Sequence, residues 1–195
     1  MAHQQTSQLD LLVADYVASF EKLDEMIVYE TDPIAQQLAV GDPDERGFRR
    51  WRPYEVIAEP LMLEGIYSKL AARFPPIFER LVLSYRWAEV DLTDYRLIAN
   101  PPGTDLSGLI GKISKDPAIW DCLSHSGYIQ FGKGPDMDYD PVCFDLRSRT
   151  KDGDYRIVKI DHEEILCNNR LKVVAELAPS FEQLMQRTVE QATKG

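Results

Sequence analysis

Residues 128–164 read YIQFGKGPDMDYDPVCFDLRSRTKDGDYRIVKIDHEE, and the fold turns on how this stretch is parsed. Three short runs, YIQFG (128–132), PVCFDL (141–146) and YRIVKID (155–161), are rich in β-branched and aromatic residues. Gly132, Gly134 and Gly153 punctuate them, and Asp152-Gly153 is a hairpin signal. The spacing predicts an antiparallel meander. Within RIVKI, alternation sets Ile157 and Val158 on opposite faces. Both are apolar, so both faces of the sheet are expected to be covered.

The link between the first two runs, DMDYDP (136–141), places Asp136, Asp138 and Asp140 at alternate positions. An EF-hand loop opening at Asp136 needs Gly at 141 and Glu at 147; Pro141 and Arg147 stand there. A glycosidase pair needs two carboxylates set across a cleft, which neighbouring loop acids do not supply. Other oxygen-rich calcium sites stay open, but the leading reading is an acidic turn between strands, with Pro141 opening the next strand, where its missing N–H is tolerated.

Working outward, APSFEQLM downstream carries a capping box at Ser180 and Gln183, with Phe181, Leu184, Met185 and Val189 on one helical face. Upstream, Asp116-Pro117 caps a helix that Gly127 closes, and DLSGLIGKIS is a second short helix before it. Trp87 to Ile98 reads as one strand or a bent loop-and-strand. Pro75-Pro76 opens a helix burying Ile77, Phe78, Leu81 and Val82; another, starting at Pro60, turns Leu61, Ile66, Tyr67 and Leu70 inward. Residues 31–53 are loop-like, and FRRWR (48–52) is the dense basic cluster, expected to pair with the protein's own acids. Leu9, Leu12, Val13, Tyr16, Val17, Phe20, Leu23 and Ile27 form an apolar stripe on an N-terminal helix capped by Thr6 or Ser7.

The chain has 195 residues, the length of one domain, and 44% are hydrophobic, enough for a core. No run approaches the roughly 20 apolar residues of a membrane span, and MAHQQTSQLD lacks the basic and apolar regions of a secretory signal. No membrane association and a cytoplasmic location are expected. Cys122, Cys143 and Cys167 are odd in number and form no CxxC pair, so they are expected reduced and mostly buried. The net charge of −10 argues against nucleic acid and suits a basic protein partner.

Motifs for chemistry are missing. His162-Glu163 begins an HExxH match that Leu166 breaks. No GxSxG elbow, phosphate-binding loop or dinucleotide fingerprint occurs. Cys143 lies inside an apolar strand. A hydrolase would have to use His125 or His162 with a nearby acid. No cofactor and no metal are expected.

The order of pieces resembles the SUKH superfamily, which includes bacterial immunity proteins and Smi/Knr-type yeast cell-wall regulators. The pieces are Phe74-Pro75, Ile129 to Gly132, Cys143 to Leu146, Val158 to Glu163 read as a strand, and Ser180 to Leu184. The likeness covers roughly residues 50–190. It implies an α+β fold, a curved and mostly antiparallel sheet flanked by helices, in a domain at 46–195, with a helix and linker at 1–45 packing on it. It also implies a non-enzymatic protein-binding module, an immunity protein neutralising a bacterial toxin domain with a basic surface, as monomer or homodimer. A regulatory scaffold binding a housekeeping protein is the alternative. Candidate partner contacts are Asp136, Asp138, Tyr139 and Asp140, with Asp161, Glu163 and Glu164 at the neighbouring strand exit.

Overall fold

The computed structural model describes residues 7–23, 27–29, 37–68, 70, 72–103 and 106–194. Expectations placed on Thr6, on the TDPIAQ segment at 31–36 and on the side chains of Ile27 and Ile66 lie outside the described residues. Chain order is α1 (Gln8–Leu23), β1 (Ile27–Tyr29), β2 (Ala39–Val40), β3 (Phe48–Trp51), β4 (Tyr54–Glu55), α2 (Pro76–Ser84), β5 (Tyr85–Arg86), β6 (Val90–Leu92) and β7 (Tyr95–Leu97). Then come α3 (Ser107–Ile113), α4 (Pro117–His125), β8 (Tyr128–Lys133), β9 (Pro141–Asp145), β10 (Arg156–Ile160), α5 (His162–Asn168), β11 (Val173–Ala178) and α6 (Phe181–Lys194).

The fold is α+β. Strands β6 to β11 form one open sheet in the order β11-β10-β9-β8-β7-β6, each antiparallel to its neighbour. The meander predicted from residues 128–161 is its centre. The Trp87–Ile98 stretch is a tight hairpin, β6 and β7 turning at Thr93-Asp94, so it holds two strands where one was expected.

The sheet has two unequal faces. On the major face, Ile129, Phe131, Val142, Phe144 and Ile157 join Tyr16 and Phe20 of α1, Phe78 and Leu81 of α2, and Phe181 and Leu184 of α6. Phe131 and Phe144 stack with ring centroids 4.3 Å apart, and Phe78 and Phe181 meet Phe144 edge-on at 5.2 and 5.5 Å. Offset and edge-to-face contacts of this kind add to simple burial. On the minor face, Tyr128, Cys143, Val158 and Ile160 meet Leu123 of α4 and Ile165 of α5. Ile157 and Val158 are thus both buried, on opposite sides.

Several local signals act as read. Ser7 and Asp10 cap α1 reciprocally, and the Asp116 carboxylate accepts the N–H groups of Ala118 and Ile119 at 3.0 and 3.2 Å. Gly127 ends α4 at φ 81°, where a side chain is strained. Pro76 starts α2, which buries Ile77, Phe78, Leu81 and Val82. α1 is tied to the sheet by the Tyr16 and Tyr95 hydroxyls, 2.5 Å apart. The loop expected at 31–53 is corrected over its described residues: β2 and β3 lie in it, and β1 and β2 pair with β3, so a small sheet spans residue 45.

Other readings are corrected. The helix expected from Pro60 is there, as a 3₁₀ turn at Pro60–Leu63 running into a short α-helix at Glu64–Tyr67, with Tyr67 and Leu70 packed inward; Leu61 instead faces solvent and Leu63 is buried in its place. Val158 to Glu163 is not one strand: β10 ends at Ile160, and Asp161 caps α5. Of the free cysteines only Cys143 is buried; Cys122 is half-buried and Cys167 exposed. At the C-terminus of α2, Arg86 is buried and pairs with no carboxylate among the described residues. Its guanidinium and the Asn100 amide both donate to the Val82 carbonyl, at 2.7 and 3.0 Å. A cation there complements the helix dipole.

Candidate functional site

Loop 134–140 joins β8 to β9 and is held at many points. The Gly134 N–H donates to the Asp140 carbonyl at 2.9 Å, and the Asp138 N–H to the Pro135 carbonyl at 3.0 Å. One Asp138 carboxylate oxygen accepts the Asp140 N–H, and the other accepts Lys159 Nζ of β10 at 2.7 Å. Arg96 of β7, itself bidentate to Asp91, donates to the Asp136 carbonyl at 2.8 Å. Asp140 Oδ1 accepts the His162 N–H at 2.9 Å and lies 2.7 Å from His162 Nδ1, fixing the loop to the start of α5. Gly134 is required: a Cβ there would meet the Asp138 carboxyl at about 2.1 Å. Asp136 takes up the left-handed conformation at φ 54°, which Asp tolerates.

The strand exit is organised in the same way. Asp161 Oδ1 accepts the Glu164 N–H, capping α5, while Oδ2 meets Lys172 Nζ at 3.1 Å. Glu164 faces Arg170 and accepts from Asn168. The Asp161 carboxyl is held below its ordinary range by the Glu164 N–H and then by Lys172. Burial pushes Asp138 up, but bonds from Lys159 and the Asp140 N–H outweigh it and its pKa is lowered. Of the candidate acids, Asp138, Asp140, Asp161 and Glu164 therefore serve the protein's own donors. The carboxylates of Asp136 and Glu163 have no ion pair among the described residues.

What the loop presents outward is apolar. Met137 is 77% exposed and Tyr139 51%, with the Tyr139 ring edge-on to His162 at 6.2 Å. Leu166, on the outward side of α5, is 51% exposed. Beside them opens a cleft of about 420 Å³ between α3, the start of α4, β8 and α5. Ile113, Ile119 and Leu166 supply apolar lining, Tyr139 and His162 form the loop side, and Lys112, Lys115 and Lys133 stand around it. These lysines have no ion pair among the described residues.

The sequence brought Tyr139 and the acids to attention but not Met137, Leu166 or the lysines. Lys112 and Lys115 are three residues apart, at the end of α3 and in the link to α4, which is a signal, but Lys133 joins them only through the fold. FRRWR is a structural strand: Trp51 is 1% exposed, Arg52 pairs with Glu21, and Arg49 donates to the Gly41 carbonyl. His125 is exposed, its Nδ1 2.7 Å from the Asp121 carbonyl. His162 does line the cleft beside an acid, but no Ser, Thr or Cys of the described residues lines it with them.

No group of three or more His, Cys, Asp or Glu side chains among the described residues is arranged to hold a metal ion. No described helix is long and apolar enough to cross a membrane. No family model matches the chain, and no curated protein matches its sequence.

Proposed function

We propose that this chain is a non-enzymatic protein-binding module of the immunity type, which neutralises a bacterial toxin domain by docking it on loop 134–140 and the outward side of α5. The observation that carries the reading is the contrast inside the loop. Two of its three acids, Asp138 and Asp140, are committed to holding backbone and a neighbouring strand and helix, while Met137 and Tyr139 are held out in solvent. A loop fixed before binding loses little conformational entropy when a partner arrives. Tyrosine and methionine are favoured at interface centres. Asp136 and Glu163 are exposed, and exposed acids steer a basic partner more than they hold it. The choice of a toxin as partner rests on the SUKH-like order of segments and the charge of −10.

The test is titration of purified basic nuclease toxin domains, reading both complex formation and nuclease inhibition. One such domain should bind and be inhibited. Tyr139→Ala should weaken that complex at least about tenfold, as a central aromatic anchor does. Asp136→Lys with Glu163→Lys should slow association chiefly at low salt. Complexes that ignore all three substitutions, or no complex with any basic domain, refute the assignment.

A further inference from the structure

We infer that the cleft beside the loop reads an acidic segment of the bound protein, a carboxylate set next to an apolar side chain. The inference rests on the docking reading above and names what the partner must present there.

Three of the chain's nine lysines, Lys112, Lys115 and Lys133, surround this one cleft, and none has an ion pair among the described residues. Among the described lining residues Asp116 is the one acid, so three lysines stand against a single carboxylate; of the loop's acids, Asp138 is paired with Lys159 and Asp140 bonds His162. A local positive site therefore stands within a protein of net charge −10. Lysine is a compact charge on a flexible apolar stem, so the rim can close on a carboxylate while its methylenes extend the wall.

The lining sets the ligand class. Ile113, Ile119 and Leu166 offer apolar surface that a phosphate leaves unfilled. The surrounding negative charge repels a nucleic-acid backbone. A carboxylate beside Leu, Ile or Phe satisfies both the rim and the wall. The result is a two-stage selection: the overall acidity attracts basic proteins, and the cleft then accepts one that places an acid in register. A partner that places Lys or Arg there meets like charge, which discriminates strongly.

The test is selection of a random displayed-peptide library on the full chain and on the triple variant Lys112→Glu, Lys115→Glu, Lys133→Glu, with a Lys→Gln triple as the milder control. The wild type should enrich Asp or Glu adjacent to an apolar residue. The Glu triple should lose that preference and favour Lys or Arg. A synthetic enriched peptide should shift the methyl resonances of Ile119 and Leu166 and bind the Gln triple at least about tenfold more weakly, since truncating anchoring contacts costs this much or more. No acidic preference, identical peptides from both proteins, or equal shifts produced by inorganic phosphate or a single-stranded oligonucleotide would overturn the inference. The docking reading fails separately. If a toxin domain binds the Glu triple undiminished but is lost with Tyr139→Ala, the cleft inference falls and the docking stands. If no domain binds either protein, the docking itself falls.

Discussion

The two faces of the central sheet are built on different terms. The major face is closed by three helices, and its centre is an aromatic cluster in which Phe131, Phe144, Phe78 and Phe181 touch one another. The minor face is covered by the short helices α4 and α5 over a smaller cluster, and where that cover stops the cleft begins. Polar anchoring differs too. Asp145, Asp138, Asp140 and Asp161 all work at the minor face, its loop or its helix α5. The major face also has polar ties, Asp10 with Arg80, Asp94 with Arg187 and the Asp154 cap of α6, but they fasten helices around a large apolar cluster; at the minor face the ion pairs fix a loop beside a smaller one. The larger apolar cluster and the pinned loop with its exposed side chains are thereby set apart within one fold.

The sharpest way to break this contrast is to make the same truncation on each side. Ile157 and Ile160 are both fully buried in β10, Ile157 toward the aromatic cluster and Ile160 toward α5. Isoleucine-to-alanine changes cost about 2–5 kcal/mol, the spread reflecting how well a site collapses. Ile157→Ala, walled by interlocked rings, should fall near 4–5 kcal/mol of that ~2–5 range and Ile160→Ala near ~2 kcal/mol. Urea unfolding with matched slopes is the measurement. Equal losses would mean that the minor cluster is as rigid as the major one.

Helix capping allows a second matched test. Asp154, 8% exposed, takes the N–H groups of Tyr155, Phe181 and Glu182 and so caps α6 on the major face. Asp161 caps α5 from the solvent side. Asp154→Ala leaves buried donors unmet and should cost about 2–3 kcal/mol. Asp161→Ala should cost less and show mainly as faster amide exchange confined to α5. Global destabilisation by both would place α5 in the same cooperative unit as α6.

These caps also show what a sequence makes legible. Ser180-Gln183, Asp116-Pro117 and Ser7 were readable because donor and acceptor lie within one turn. Asp154 reaches its helix across 27 residues, so no local pattern reveals it. The meander was legible from period-two runs cut by glycine, and α2 from its proline start. β11 was missed because Val173 and Val174 lie exposed at an edge, without the alternation that burial on one face imposes. For the site, sequence showed the acids but not their use. Asp138 and Asp140 find Lys159 and His162 only after β9 and β10 pair. The cleft's lysines come from two segments, Lys112 and Lys115 three residues apart and Lys133 at the end of β8, and no local spacing joins the second to the first.

Acid should act through the depressed carboxyls of both faces, most of them at the minor face and its loop. Burial pushes Asp145 up, yet the guanidinium bonds from Arg147 and Arg156 at 2.8 and 2.6 Å prevail and hold its pKa below the ordinary value. Asp138 and Asp161 are also depressed. A carboxyl depressed in the folded state contributes stability that is present above its unfolded pKa and lost as pH falls through the folded one. Asp10 of α1, held at about 2 against an ordinary 3.8, chiefly by the Arg80 guanidinium and then Ser7, follows the same sign. Below about pH 4, where free carboxyls titrate, stability should decline, with exchange rising in α5 and loop 134–140 before the core of α6. Asp145→Asn should flatten that acid slope while lowering stability at neutral pH. An unchanged slope would locate the acid response elsewhere.

The smallest stability effect carries the most functional weight. Tyr139 lies half in solvent, and the bonds that hold its loop run through neighbouring carboxylates and backbone, not through its phenol. Tyr139→Ala should therefore change unfolding free energy by no more than about 0.5 kcal/mol, as surface positions outside a packed network do. Asp140→Asn should instead loosen the loop, weakening its hold on the His162 N–H and ring, and raise amide exchange across 134–140. If the side presenting Met137 and Tyr139 is a docking surface, the first substitution should abolish recognition in a protein that unfolds as before. The second should weaken recognition by restoring the entropy that a rigid loop has already lost. A Tyr139→Ala protein that unfolds much more readily would mean the ring is structural. The division of labour between the two faces would then fail at the residue on which it most depends.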